Sequence, residues 1–128
     1  MQGTGKWVNR RYRLKRSTDF ERVRRTGRSF PHPLVVMLVA PNQSEEIRVG
    51  VAAGRSVGPA VVRNRAKRLL RAAMQSFLPD LKPGWDLLLL ARKPLPEAGY
   101  WKVRAVLEML LEKAHLLMRS TNESRLRE

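Results

Sequence analysis

Residues 60–71, Ala-Val-Val-Arg-Asn-Arg-Ala-Lys-Arg-Leu-Leu-Arg, constrain this chain more than any others, because they hold five basic residues and no acid. A helix through them takes about three turns. On its wheel Asn64, Lys67, Arg68 and Arg71 gather on one face, with Arg63 and Arg65 on the flanks. Val62, Ala66, Leu69, Leu70, Ala73 and Phe77 gather on the other. The apolar face can bury against another layer while its opposite presents a dense cationic surface. Solvated helices normally intersperse acids for i,i+4 pairing, and none occurs from Ala60 to Phe77. Such a surface fits a polyanion.

Composition agrees. With 26 Lys and Arg against 11 Asp and Glu, the formal net charge is +15, a field that favours nucleic acid or an anionic membrane. Arginine predominates over lysine, which suits bidentate phosphate contacts and stacking on bases. At 128 residues and 43% hydrophobic, the chain is expected to form a single domain, residues 1–128, around one core. The absence of cysteine excludes disulfides, thiolate metal sites and cysteine nucleophiles. The apolar runs Leu34–Ala40 and Leu87–Ala91 are too short to cross a bilayer, and no signal-peptide stretch opens the chain. The expectation is a cytoplasmic protein without a membrane partner.

Along the chain, residues 1–11 read as a flexible basic arm, 12–119 as the folded core and 120–128 as a frayed tail. Thr18-Asp19-Phe20-Glu21 has the form of a capping box opening a short helix that Gly27 stops. Leu34–Ala40 and Ile47–Ala53 are predicted strands. A Gly54–Pro59 loop leads into the basic helix, with Pro59 suited to its first turn, and the helix runs to about Phe77. Trp85–Ala91 is another buried strand. Tyr100–Arg119 is a long amphipathic helix with Val103, Val106, Leu107, Leu110, Ala114, Leu117 and Met118 as its stripe. The fold class is α+β, a single-domain α-β sandwich in which helices cover a sheet. The segment from Ile47 to Ala91 has the form of a parallel βαβ unit, which pattern alone makes right-handed.

With the basic helix placed behind a glycine loop and a strand, the chain resembles the protein subunit of bacterial ribonuclease P. Arg63-Asn64-Arg65-Ala66-Lys67-Arg68-Leu69 matches that family's Arg-Asn-Arg signature. Arg13-Leu14-Lys15-Arg16 with Asp19-Phe20, then Arg48-Val49-Gly50-Val51, then Ala91-Arg92-Lys93-Pro94 fall in the family's order. The resemblance implies the element order αβββαβα and a left-handed crossover carrying the signature helix. It also implies a protein that binds a catalytic RNA and helps it remove the 5′ leader of precursor tRNA. The RNA and its Mg²⁺ would perform the hydrolysis, with no cofactor held by the protein alone and no obligate protein partner. Arg55, Arg63, Asn64, Arg65, Lys67, Arg68 and Arg71 would meet the catalytic RNA. Phe20, Arg24, Met37, Arg13 and Lys15 would line the leader cleft. Arg24 and Met37 stand where family members often carry aromatics, so this cleft is more cationic and less aromatic than usual.

Other residues carry less. Phe20 read by itself anchors a short helix on a sheet, whereas the resemblance makes it a partly exposed stacking platform. Trp85 and Trp101 are expected in the core or at a sheet edge, and Trp7 stands in the basic arm. His32 and His115 sit in no ligand motif, and both are expected to be structural or surface residues. No pair of acids is spaced to hold metal ions for an independent nuclease. A ribosomal protein or RNA chaperone would share the charge and size but not the four ordered segments.

Overall fold

The structure, a computed structural model, describes residues 13–14 and 17–118; the arm at 1–11, Lys15 and the tail beyond 118 lie outside them. The elements are α1 (Ser17–Thr26), β1 (Arg28–Phe30), β2 (Val35–Pro41), β3 (Ile47–Ala53), α2 (Ala60–Gln75), β4 (Trp85–Ala91) and α3 (Tyr100–Lys113). The predicted order αβββαβα holds. Four strands form one sheet in the order β1-β2-β4-β3. β2 runs antiparallel to β4, and β3 parallel to it, with α2 as the crossover.

The pleat explains the two layers. Val35, Met37 and Val39 of β2, Leu87, Leu89 and Ala91 of β4, and Ile47, Val49 and Val51 of β3 share one face. That face packs against Ala66, Leu70, Ala73 and Met74 of α2 and Val103, Leu107, Leu110 and Leu111 of α3. The other face offers Leu38, Ala40 and Leu88, covered by Leu14 and by Val23 of α1. Further along this face, Val36, Leu90 and Ala52 stand side by side in register and are only half-buried.

Two helix ends differ from the sequence reading. α1 begins at Ser17, so Thr18 lies in its first turn and does not cap it. α3 stops at Lys113, six residues short of the predicted end, because His115 adopts φ 60°. The His115 N–H then bonds the Glu112 carbonyl and the Leu116 N–H the Leu111 carbonyl, a Schellman close sealed by buried Leu111 and Leu116. His is among the few side chains that enter this region readily. The chain turns back so that Leu117 pairs with Leu81. His32 also has a local role, its Nδ1 accepting the Leu34 N–H at 3.0 Å.

One charged group is fully buried. Asp86, 0% exposed, stands at the start of β4 on the α1 side of the sheet. Its carboxylate accepts Nε (2.9 Å) and Nη2 (3.0 Å) from Arg48, its register partner on β3. It also accepts Asn42 Nδ2 at 2.9 Å and a close contact from Arg22 of α1. Arg22 further donates to the Pro41 carbonyl at 3.0 Å, and Asp19 of α1 faces both arginines. Hydrogen bonding to Asp86 raises the Arg48 pKa against the opposing effect of its own partial burial. The clamp ties α1, β3, β4 and the β2–β3 loop to one carboxylate. Replacing both arginines, Arg22→Met with Arg48→Met, leaves a buried carboxylate with Asn42 alone and should cost about 3–5 kcal/mol in urea unfolding. Adding Asp86→Leu should recover at least half of that, since an apolar replacement removes the orphaned charge. A triple variant no more stable than the double would show that the clamp is not where the stability resides.

Candidate nucleic-acid interface

The signature helix is set up by its loop. Gly58 takes φ 148°, where a Cβ would also meet Val62 Cγ1 at 3.0 Å, so glycine is needed at this turn. Pro59 sits just ahead of the first helical residue, and its carbonyl accepts the Arg63 N–H at 2.9 Å. From there the apolar side follows the wheel, but the exposed side is turned from it: Arg65, read as a flank residue, is fully outward, and Lys67 and Arg71, read as the cationic face, are half-buried. Ala66, Leu70, Ala73, Met74 and Phe77 are buried, while Val62 and Leu69 pack half-buried on the core. Asn64, Arg65 and Arg68 are exposed, as is Arg55 in the preceding turn. Arg63, Lys67 and Arg71 are half-buried on the flank.

That flank leads to the other side of the sheet. The Leu14 N–H donates to the Val49 carbonyl at 3.0 Å, which lays Arg13 and Leu14 along the free edge of β3. Arg13, Leu14, Phe20, Val49, Gly50, Val51 and Arg71 line one pocket. Burial, and then the charge of Arg13, lower the Arg71 pKa: two guanidinium groups face the same space. Phe20 lies over Gly50, where a Cβ would come 2.9 Å from its Cζ. The missing side chain lets the ring settle against β3. Phe20 is half-buried against the Leu14–Val23–Leu38 cluster, so it is at once an anchor and a partly exposed aromatic surface.

Beyond Phe20 the same sheet face carries the half-buried Val36, Leu90 and Ala52. Leu90 also lines a second pocket with Pro33, Ser56, Ala91, Arg92, Lys93 and Pro94. Thus Phe20 and Arg13 line one pocket and Arg24 is exposed one turn along α1 from Phe20, while Lys15 lies outside the described residues.

Met37 does not belong there. It is 0% exposed and packs in the core under α2 and α3, on the face opposite Phe20. Successive strand residues point to opposite faces, so one step of register puts a cleft assignment into the core. Val36, with Leu90 and Ala52, lies on the Phe20 side instead, and the sequence reading passed over all three. Trp101 is the second correction: it is 74% exposed on α3, neither core nor sheet edge, whereas Trp85 packs against the core as expected. Among the described residues no three His, Asp or Glu side chains come together to hold a metal ion.

Comparison with known proteins decides the family. The ribonuclease P profile matches residues 8–115, most of the chain. The chain belongs to the ribonuclease P family. The ribonuclease P protein component of Herpetosiphon aurantiacus is 37% identical over 85% of this chain and 89% of its own length. That of Chloroflexus aggregans is 41% identical over 86% and 82%. The ribonuclease P protein of Staphylococcus aureus superposes with a TM-score of 0.75 at 26% identity, covering 83% of this chain and 97% of that one. This member of the ribonuclease P family has no helix, among its described residues, long and apolar enough to cross a membrane.

The corrected position of Met37 is testable without RNA. Met37→Ala should cost about 2–5 kcal/mol in urea unfolding, as core truncations of this size do. A cost below about 1 kcal/mol would place the side chain at the surface.

Proposed function

We propose that this protein binds the catalytic RNA of ribonuclease P and the 5′ leader of precursor tRNA, assisting removal of the leader while the RNA carries the chemistry. The observation that carries the reading is the pocket where Arg71 of the signature helix, Arg13 and Phe20 meet. Beyond that pocket the half-buried Val36, Leu90 and Ala52 offer an aliphatic surface on the same side of the sheet as Phe20. Asn64, Arg65, Arg68 and Arg55 face outward to the catalytic RNA, with Arg63 and Lys67 on the flank. A single strand along this surface would stack a base on Phe20, rest on the aliphatic residues, and find Arg13, Arg24, Arg71 and Arg92 for its phosphates. Stacking and phosphate contacts tolerate any sequence, which suits leaders of varied composition.

Among the described residues, Asp86 and Asp19 are poor candidates to hold Mg²⁺. The buried carboxylate, Asp86, is filled by arginine and asparagine donors, and Asp19 faces Arg22 and Arg48. In this reading Mg²⁺ belongs to the RNA. The protein acts in the cytoplasm as a positioning subunit.

Three measurements check this. Pure protein, the catalytic RNA and labelled precursor tRNA at low Mg²⁺ should give cleavage only when protein and RNA are both present. Cleavage by the protein alone would make it a nuclease in its own right. Arg65→Ala with Lys67→Ala should weaken binding to the catalytic RNA and flatten log K against log salt by roughly one unit per lost contact. An unchanged slope would remove α2 from the interface. Phe20→Ala should weaken precursor tRNA binding by the holoenzyme about five- to a hundredfold and leave mature tRNA binding as it was. Phe20→Leu keeps the packing without the π-face, so full recovery of precursor affinity in that variant would assign Phe20 to packing alone.

A further inference from the structure

Trp101 is a large aromatic side chain left 74% exposed on a protein with formal net charge +15. Tyr100, itself packed on the core, meets its ring at 83° with centroids 4.8 Å apart, which braces the indole. One turn on, Arg104 Nε donates to Ser76 Oγ at 3.1 Å and its guanidinium lies 5.0 Å from the Phe77 ring centroid. These two contacts tie the second turn of α3 to the residues that follow α2, and Trp101 lies three residues before Arg104 on the same helix. The Ser76 bond uses one of the five N–H donors of Arg104. Lys102 is exposed next to Trp101, and the first turn of α3 carries no acid.

We propose that Trp101 is a stacking platform for an unpaired base of the catalytic RNA, with Lys102 and Arg104 meeting the flanking phosphates. The interface of α2 then continues onto the first turn of α3. This inference rests on the RNA-binding reading above. A flat indole offers a π-face to any base, and cationic neighbours hold the backbone on either side. A second copy of the chain is the competing occupant, through the row Trp101, Ala105 and Met109 that recurs every four residues. Charge decides against it: two copies at +15 repel, whereas RNA is attracted to the same surface.

The test uses the full chain with Trp7→Phe and Trp85→Phe, so that Trp101 is the remaining tryptophan of the three. Titration with the catalytic RNA should quench its fluorescence and protect it from acrylamide. In the otherwise unaltered chain, Trp101→Ala should weaken RNA affinity about five- to a hundredfold with an unchanged salt slope, because stacking releases no counterions. Trp101→Tyr should recover most of the loss and Trp101→Leu should not. Thermal unfolding of each variant should match the parent, as expected for an exposed position. If the parent binds the RNA while Trp101→Ala binds equally well and the fluorescence is unmoved, the platform is wrong and the RNA-binding reading stands. If the parent fails to bind, both fall. Sedimentation that shows a dimer dissociating on Trp101→Ala, with RNA affinity intact, would assign the surface to a second copy.

Discussion

The carboxylate of Asp86 is the interaction on which the rest of the architecture turns. It is fully buried, and an ionised group there is tolerated only when its lone pairs are filled. Arg48 fills two in a bidentate fork fixed by the β3–β4 register, Asn42 a third, and Arg22 reaches down from α1 for the last. Net stabilisation from such a group is modest, because its desolvation offsets most of the attraction. Its directional effect is larger. An apolar helix packed on an apolar sheet can slide, whereas Arg22 has one place to go, which fixes where α1 crosses the face and where Phe20 lands on Gly50.

The same contrast organises the charge. Asp19 and Asp86 are engaged by Arg22 and Arg48, which leaves exposed cations on α1, on α2 and its preceding turn, after β4 and on α3. Arg71, partly buried, faces the charge of Arg13, and both effects lower its pKa.

Much of this was legible in the sequence because long periodic segments speak for themselves. β3 and β4 have the bounds that alternation and apolar run length predict, and the phase of α2 follows from the placement of Ala66, Leu70 and Ala73. The errors have physical reasons. Met37 enters the leader cleft through the resemblance alone, and a continuous apolar strand such as β2, buried on both faces, has no alternation to contradict that placement. Trp101 was assigned by residue type, although it lies about 200° from Val103 on the wheel, off the stripe. The end of α3 depends on a left-handed His115, a conformation no periodicity records. Asp86 did leave a signal, a single acid at the head of the leucine run 87–90. Its partners come from 38, 44 and 64 positions away and could be found only in three dimensions.

Both borders of the sheet are closed by means that carry a further consequence. β1 is a strand of three residues with Arg28 and Ser29 exposed, too short to template another chain. On the opposite border β3 is seven residues long and mostly apolar, and the Val49 carbonyl on its open edge accepts the N–H of Leu14, whose side chain is buried. The segment that brings Arg13 beside Phe20 therefore also shields part of the border most capable of edge-to-edge association. Proteolytic loss of that segment would do more than remove a cation: it would expose a seven-residue apolar edge to strand addition by a second copy.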